Sequence, residues 1–159
     1  MVASNSSAAA KSKINSRPRI PLAQRRKARR LVLQALYQWL MSGSDPLVIS
    51  KQYREETLGK VDWNYFEEVF SEIPGATQKL NESLKPLLDR ELAALDPIEK
   101  ALLYLGTFEL TNRIDVPYRV VINECVELAK IFGATDSHKY INGVLDKLAS
   151  ELRPAELLK

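Results

Sequence analysis

The residues with the clearest chemical potential form a run of cations, in which five of the six positions from 25 to 30 are basic. They are Arg25, Arg26, Lys27, Arg29 and Arg30. A guanidinium group binds two phosphate oxygens at once and also stacks on nucleobases. Residues 1–44 contain nine Lys or Arg and no Asp or Glu, so they carry +9, whereas residues 45–159 carry −6. This separation of charge predicts binding to nucleic acid.

The spacing of the run places it on one face of a helix. Because residues three and four apart share a helical face, Arg26, Arg30 and Tyr37 lie together, with Arg25 and Arg29 beside them. A ring next to arginines favours single-stranded RNA, whose unpaired bases can stack. Two alternatives stay open: a solvated helix end for the cations, and a half-buried core position for Tyr37. The first is weakened because the dipole of a helix N-terminus disfavours cations.

Catalytic and metal-binding patterns are missing from the sequence. His138 and Cys125 are its only histidine and cysteine, too few for a zinc site. Asp96 with Glu99, and Asp115, each lie at the start of a helical stretch and are interpreted as helix caps. We therefore expect neither enzymatic activity nor a metal or cofactor.

The composition indicates a globular domain with a basic extension. Hydrophobic residues make up 45% of the chain, but no apolar stretch approaches the roughly 20 residues that span a bilayer. A single cysteine fits a reducing compartment, so we expect a cytoplasmic protein. We predict a disordered basic extension over residues 1–24, a folded domain over 25–153 and a short tail over 154–159.

Apolar residues recur at helical spacing from about residue 22, and no long stretch alternates as a strand does. Turn and capping residues divide the chain into an all-α domain of six or seven helices. The first two predicted helices span 22–41 and 47–58. A third begins after Asp62 and resumes beyond Pro74 to about residue 92. The last three span 97–112, 117–132 and about 136–153, the final one capped by Thr135 or Asp136.

Three ordered segments of the chain resemble the NusB family of transcription antitermination factors. They are RRKARRLVLQALYQW (25–39), VPYRVVINECVELAK (116–130) and GATDSHKYINGVLDK (133–147), supported by EKALL (99–103) and the pair Glu109-Leu110. The resemblance covers about residues 25–153. It implies an all-α fold of two helical subdomains.

The resemblance also implies a function. Members of the family bind boxA, a short single-stranded element of nascent ribosomal RNA transcripts, as a heterodimer with NusE, a small-subunit ribosomal protein. The pair helps RNA polymerase, together with NusA and NusG, to read through terminators. The resemblance therefore implies the same partners for this chain.

Residue by residue, the resemblance assigns two surfaces. The residues implied to contact RNA are Arg25, Arg26, Lys27, Arg29, Phe132, Asp136, Lys139 and Tyr140. The residues implied to face NusE are Tyr37 and Glu99. Judged by spacing alone, Phe132 and Tyr140 also suit the core, while Asp136 and Glu99 also suit helix caps.

Two other functions remain open at this stage. One is an RNA-binding module of the kind attached to ribosomal RNA cytosine methyltransferases. We expect that function less, because it needs a long C-terminal catalytic domain. The other is a helical protein–protein adaptor whose basic end binds RNA without sequence preference. A specific RNA site would keep its preference for cognate RNA at raised salt, whereas a nonspecific one would not.

Overall fold

The computed structural model describes residues 20–158, and helices are the only regular elements in that range. The predicted basic extension lies almost wholly outside the described residues. Seven helices of eight residues or more occur between residues 20 and 158. In chain order α1 to α7 are Leu22–Ser42, Pro46–Glu56, Trp63–Glu72, Thr77–Leu84, Pro97–Asn112, Tyr118–Phe132 and Ser137–Leu152. A last turn, α8, spans Pro154–Leu157. The all-α prediction is confirmed.

Helix α5 forms the centre of the fold. It packs against α1, α3 and α4 on one side and against α6 and α7 on the other. Every residue from 101 to 110 is buried, Thr107 and Glu109 included. A helix that is apolar on nearly all sides belongs in the middle of a globule. Its burial joins an N-terminal group of helices, α1–α4, to a C-terminal group, α6–α7.

Most predicted helix boundaries agree with the structure, but one helix is shorter than predicted. Helix α4 ends at Leu84, and single 3₁₀ turns at Lys85–Leu87 and Leu92–Ala94 replace the helix predicted to reach residue 92. Pro86 explains the early end, because proline has no N–H to donate to the helical ladder. The segment between the two 3₁₀ turns, residues 88–91, matters for the site described below.

Helix capping follows the sequence prediction for α3 and α5 only. Asp62 accepts a hydrogen bond from the backbone N–H of Tyr65 at 3.2 Å, and Asp96 accepts one from Ile98 at 2.8 Å. Each carboxylate therefore satisfies a backbone donor that the first turn leaves free.

The caps predicted for α6 and α7 are wrong. Asp115 pairs with Arg113 at 3.2 Å, and the N–H of Tyr118 at the start of α6 donates to Glu156 of α8 at 3.0 Å. Asp136 precedes α7, but its side chain makes no capping hydrogen bond. In both cases the carboxylate pairs with a cation, Arg113 for Asp115 and Lys139 for Asp136.

The ends of α5 and α7 are tied together by Arg153, which is buried. Its guanidinium donates to the carbonyl oxygens of Glu109 and Leu110, at the end of α5, and to those of Arg113 and Val116 in the following loop. A cation at the C-terminus of a helix complements the partial negative charge of the last carbonyls. Arg153 therefore holds the end of α7 against the end of α5 and the loop that follows it.

No helix between residues 20 and 158 has both the length and the apolar content needed to cross a membrane.

Candidate nucleic-acid interface

The five cations of the basic run differ in exposure, although they occupy consecutive turns of α1. Arg26 and Arg30 are exposed, while Arg25 and Lys27 are half-buried. Arg29 is only 2% exposed. The prediction that the arginines face solvent together therefore holds for two of them.

Arg29 belongs to the core, and its predicted placement on the solvent-facing surface is wrong. Its Nε donates to both carboxylate oxygens of Glu109 in α5, at 3.0 and 3.2 Å, and the hydroxyl of Tyr65 in α3 donates to the same carboxylate. Burial alone would lower the pKa of Arg29, but the Glu109 carboxylate more than offsets it and the pKa is raised. Arg29 is thus a charged member of the core that links α1 to α3 and α5.

Arg25 and Lys27 are also engaged by the fold. Arg25 pairs with Asp62 at 2.7 Å, and its guanidinium lies 4.7 Å from the centroid of the Tyr65 ring. Lys27 donates through Nζ to the carbonyl oxygen of Leu58. These contacts offset the unfavourable position of cations near a helix N-terminus. Both side chains keep partial exposure, so each can still contribute to the local potential.

Arg26 and Arg30 line a groove between the first turns of α1 and the second half of α6. The side chain of Arg26 is 58% exposed, and its Nε lies 2.9 Å from the carboxylate of Glu124. Glu127 lines the same groove, and Leu22, Leu128 and Ile131 form its apolar part. The groove therefore presents two cations to solvent. One of them, Arg26, is already paired with Glu124 of α6.

A second group of the predicted residues meets at the start of α7. Lys139 and Asp136 are exposed and lie 3.5 Å apart, and the half-buried Tyr140 shares a cleft with them. The loop between α4 and α5 contributes Arg90, whose guanidinium lies 4.2 Å from the centroid of the Tyr140 ring. The structure thus brings Asp136, Lys139 and Tyr140 together as predicted and adds Arg90, which sequence patterns did not indicate.

Glu99 lies at the back of this second cleft. Only 8% of the residue is exposed, and its carboxylate accepts a hydrogen bond from Oγ of Ser137 at 2.9 Å. The capping interpretation of Glu99 is therefore incomplete, since its carboxylate binds the first residue of α7. Glu99 positions the start of α7 relative to α5.

Tyr37 lies in a third depression. It is 39% exposed and shares this depression with Ile98, Phe132 and Gln34. Phe132, assigned above to RNA, thus adjoins Tyr37, while Glu99, assigned to NusE, adjoins the start of α7. Phe132 therefore lies with a residue predicted to face NusE, and Glu99 lies with residues predicted to contact RNA.

The segment 131–134 contributes a lining residue to each of the three depressions. Ile131 lines the groove of Arg26 and Arg30, the next residue Phe132 lines the depression of Tyr37, and Ala134 lines the cleft of Tyr140. Gly133 allows the end of α6 and the start of α7 to approach closely, because a Cβ there would lie 2.8 Å from the carbonyl oxygen of Ala129 and 2.9 Å from Cβ of Ser137. The end of α6 and the loop to α7 are therefore the part of the chain common to all three depressions of the candidate interface.

The single cysteine adds no chemistry to this face. Cys125 is fully buried, and burial raises the pKa of its thiol well above the ordinary value. Among residues 20–158, no group of three His, Cys, Asp or Glu side chains could hold a metal ion. The arrangement that remains is one of cations, rings and hydrogen-bonding groups.

Comparison with known proteins places this arrangement in a family. The sequence model of the NusB family matches residues 26–150. The transcription antitermination protein NusB of Alcanivorax borkumensis is 54% identical over 140 residues, which are 87% of this chain and 93% of that protein. Its counterpart from Pseudomonas putida is 52% identical over 136 residues, 85% of this chain and 82% of that protein.

Solved structures agree with the sequence comparison. T. maritima NusB has a TM-score of 0.75 at 25% identity, covering 89% of this chain and 100% of that one. A crystal structure of the antitermination factors NusB and NusE in complex with dsRNA has a TM-score of 0.74 at 22% identity, covering 82% of this chain and 99% of that chain. The second likeness shows the same fold. With a family match over most of its length and relatives above 50% identity that are transcription antitermination proteins and not enzymes, this chain belongs to the NusB family.

Proposed function

We propose that this protein is a transcription antitermination factor that binds single-stranded boxA RNA of nascent ribosomal RNA transcripts as a heterodimer with NusE. The observation that carries the proposal is the outward placement of Arg26 and Arg30 on a helix end that the fold itself holds rigid. Arg25 and Arg29 anchor that end through Asp62 and Glu109. The two exposed guanidinium groups are therefore preorganised to bind phosphates.

The start of α7 is the second RNA segment in this proposal. Lys139 contributes an exposed cation, and the partial positive charge at the N-terminus of α7 favours an anion. Asp136 does not attract phosphate, but its exposed carboxylate can accept hydrogen bonds from the amino groups of bases. Tyr140 contributes an aromatic ring to the same segment.

The depression that contains Tyr37 suits a protein partner. Tyr37, Ile98 and Phe132 supply apolar and aromatic contact area, and Gln34 supplies hydrogen bonds at the edge. Aromatic side chains are enriched where proteins associate. We assign this depression to NusE and place Phe132 in it, with Glu99 supporting it from behind. NusA, NusG and RNA polymerase are the further partners proposed, and the cytoplasm is the proposed compartment.

The test is fluorescence anisotropy with a short boxA-like RNA and a scrambled control at two salt concentrations, with and without NusE. We expect a preference for the boxA-like RNA that tightens with NusE. Changing Arg26 and Arg30 together to alanine should weaken binding and reduce the slope of log K against log[salt] by about 1.4, at ~0.7 per phosphate contact.

The matched control changes Lys51 and Arg119 to alanine. Both are exposed and remove the same charge, but neither lines any of the three depressions. The control should keep the wild-type slope. Equal, strongly salt-dependent binding of both RNAs would favour the nonspecific adaptor instead, and an unchanged slope in the Arg26/Arg30 variant would refute the basic-helix assignment.

A further inference from the structure

Arg90 occupies an unusual position for an exposed arginine. It lies in the segment 88–91, between two 3₁₀ turns, and its guanidinium lies over the ring of Tyr140, 4.2 Å from the centroid. Asp89 holds the guanidinium through two contacts, at 2.7 and 3.3 Å. The group is thus held in place by a carboxylate on one side and by a ring beneath it.

This geometry changes what an incoming base would meet. The hydroxyl oxygen of Tyr140 is buried, so this end of the side chain is turned toward the protein. Burial, and then the nearby Asp89 carboxylate, raise the pKa of this hydroxyl. The ring face on the Arg90 side is covered by the guanidinium. The side chain of Arg90 keeps 40% of its surface exposed. On this side of the cleft, the planar surface offered to solvent belongs to Arg90.

We propose that Arg90 is a base-stacking residue of the RNA site, which receives an unpaired nucleobase on its guanidinium plane while Tyr140 supports that plane from below. The inference rests on the proposed function and names a contact residue that the basic helix and the start of α7 do not include. Unpaired bases of RNA stack on aromatic rings and on arginine planes. Lys139 and Asp136, in the same cleft, are placed to reach the edge of such a base.

The charge of Arg90 is not its main contribution in this role. Asp89 neutralises the guanidinium locally, so long-range attraction to phosphate is weak at this position. A stacking contact predicts a loss of affinity with little change in salt dependence, whereas a phosphate contact predicts both. A lysine would keep the charge but lack the plane.

The experiment compares the wild type with Arg90→Ala and Arg90→Lys by anisotropy on boxA-like and scrambled single-stranded RNA at two salt concentrations. The matched control is Arg54→Ala. Arg54 is likewise exposed, pairs with the carboxylate of Glu67 and lies 5.3 Å from the centroid of a ring, that of Trp63, but it lines none of the three depressions. Circular dichroism and the thermal midpoint establish that every variant is folded.

We expect Arg90→Ala and Arg90→Lys each to weaken RNA binding by about tenfold while the salt slope stays near that of the wild type. Arg54→Ala should bind as the wild type does. Wild-type affinity in Arg90→Ala would overturn the proposal. Recovery in Arg90→Lys would also overturn it, by showing a phosphate contact. Tighter binding by Arg90→Ala would do the same, by showing that Arg90 covers the Tyr140 ring.

The outcome is separable from that of the proposed function. Stacking tolerates any base, so the loss in Arg90→Ala should appear with boxA-like and scrambled RNA alike. A wild type without preference for boxA would count against the antitermination function and would leave the Arg90 test valid. A wild type that binds neither RNA would refute both proposals.

Discussion

Replacing Arg29 with alanine should unfold the protein more easily without removing an RNA contact. The change leaves the carboxylate of Glu109 buried with the Tyr65 hydroxyl as its remaining partner, since Arg29 and Glu109 are 2% and 0% exposed at their side chains. Removing one member of a buried ion pair costs about 3–5 kcal/mol, because the other charge stays desolvated and uncompensated. For a domain of this size that corresponds to a fall in the thermal midpoint of roughly 10–20 °C.

The assay is urea denaturation followed by circular dichroism, with Arg26→Ala as the matched control. Both variants remove one arginine from α1, and the two positions are three residues apart. Arg29→Ala should lower the urea midpoint with an unchanged m-value. Arg26→Ala should leave the free energy of unfolding within about 0.5 kcal/mol of the wild-type value, as is usual for surface changes.

RNA binding by the same two variants is expected to show the opposite pattern to their stability. Corrected for the folded fraction, Arg29→Ala should keep the wild-type salt slope, whereas Arg26→Ala should lower it by about 0.7. The reasoning would be refuted if Arg29→Ala had wild-type stability and a reduced salt slope. That result would mean that the Arg29 guanidinium lies at the surface and binds phosphate.

Two more predictions concern neighbouring acids and the buried tyrosine. Glu124→Gln should bind scrambled RNA more tightly, because it frees Arg26 from its carboxylate partner at 2.9 Å; the salt slope should steepen by up to ~0.7, and an unchanged affinity would show that Glu124 does not compete with phosphate. The pKa of Tyr65 is raised well above 10.0, by burial and then by Glu109, so the folded state holds this proton more tightly than the unfolded chain does. Its stabilising effect is fully present below pH 10 and declines above it, by up to ~1.4 kcal/mol per pH unit. Tyr65→Phe should therefore show a shallower loss of unfolding free energy between pH 9.5 and 11, and a wild-type dependence on pH would contradict the assignment.

The helices were predictable from sequence where periodicity and punctuation agree. Asp96 and Pro97 mark the start of α5, and Gly133 marks the end of α6, since each acts through the local backbone. The false extension of α4 arose because the apolar spacing continues past Pro86 while the hydrogen-bond ladder cannot. The caps predicted at Asp115 and Asp136 do not form, and each carboxylate pairs instead with a nearby cation, Arg113 or Lys139.

The site was predictable in kind but not in detail. A run without acids indicates an electrostatic surface, yet the acids that bind its members lie 37 to 98 residues away in sequence, at Asp62, Glu109 and Glu124. No local pattern shows that Arg29 meets a carboxylate in the core while Arg30, the next residue, meets solvent. Arg90 was missed for a related reason: it is an isolated cation, and only the fold brings it to Tyr140.

The burial of part of the basic run bears directly on how the exposed part works. Two long arginine side chains on an otherwise unsupported helix end would lose conformational freedom on binding RNA, which reduces affinity. Here the same end is cross-linked to α3 through the Arg25–Asp62 pair and to α5 through the Arg29–Glu109 pair. The backbone that carries Arg26 and Arg30 is therefore ordered before RNA arrives. In the proposed interface, Arg25 and Arg29 contribute to RNA binding by fixing the position of Arg26 and Arg30.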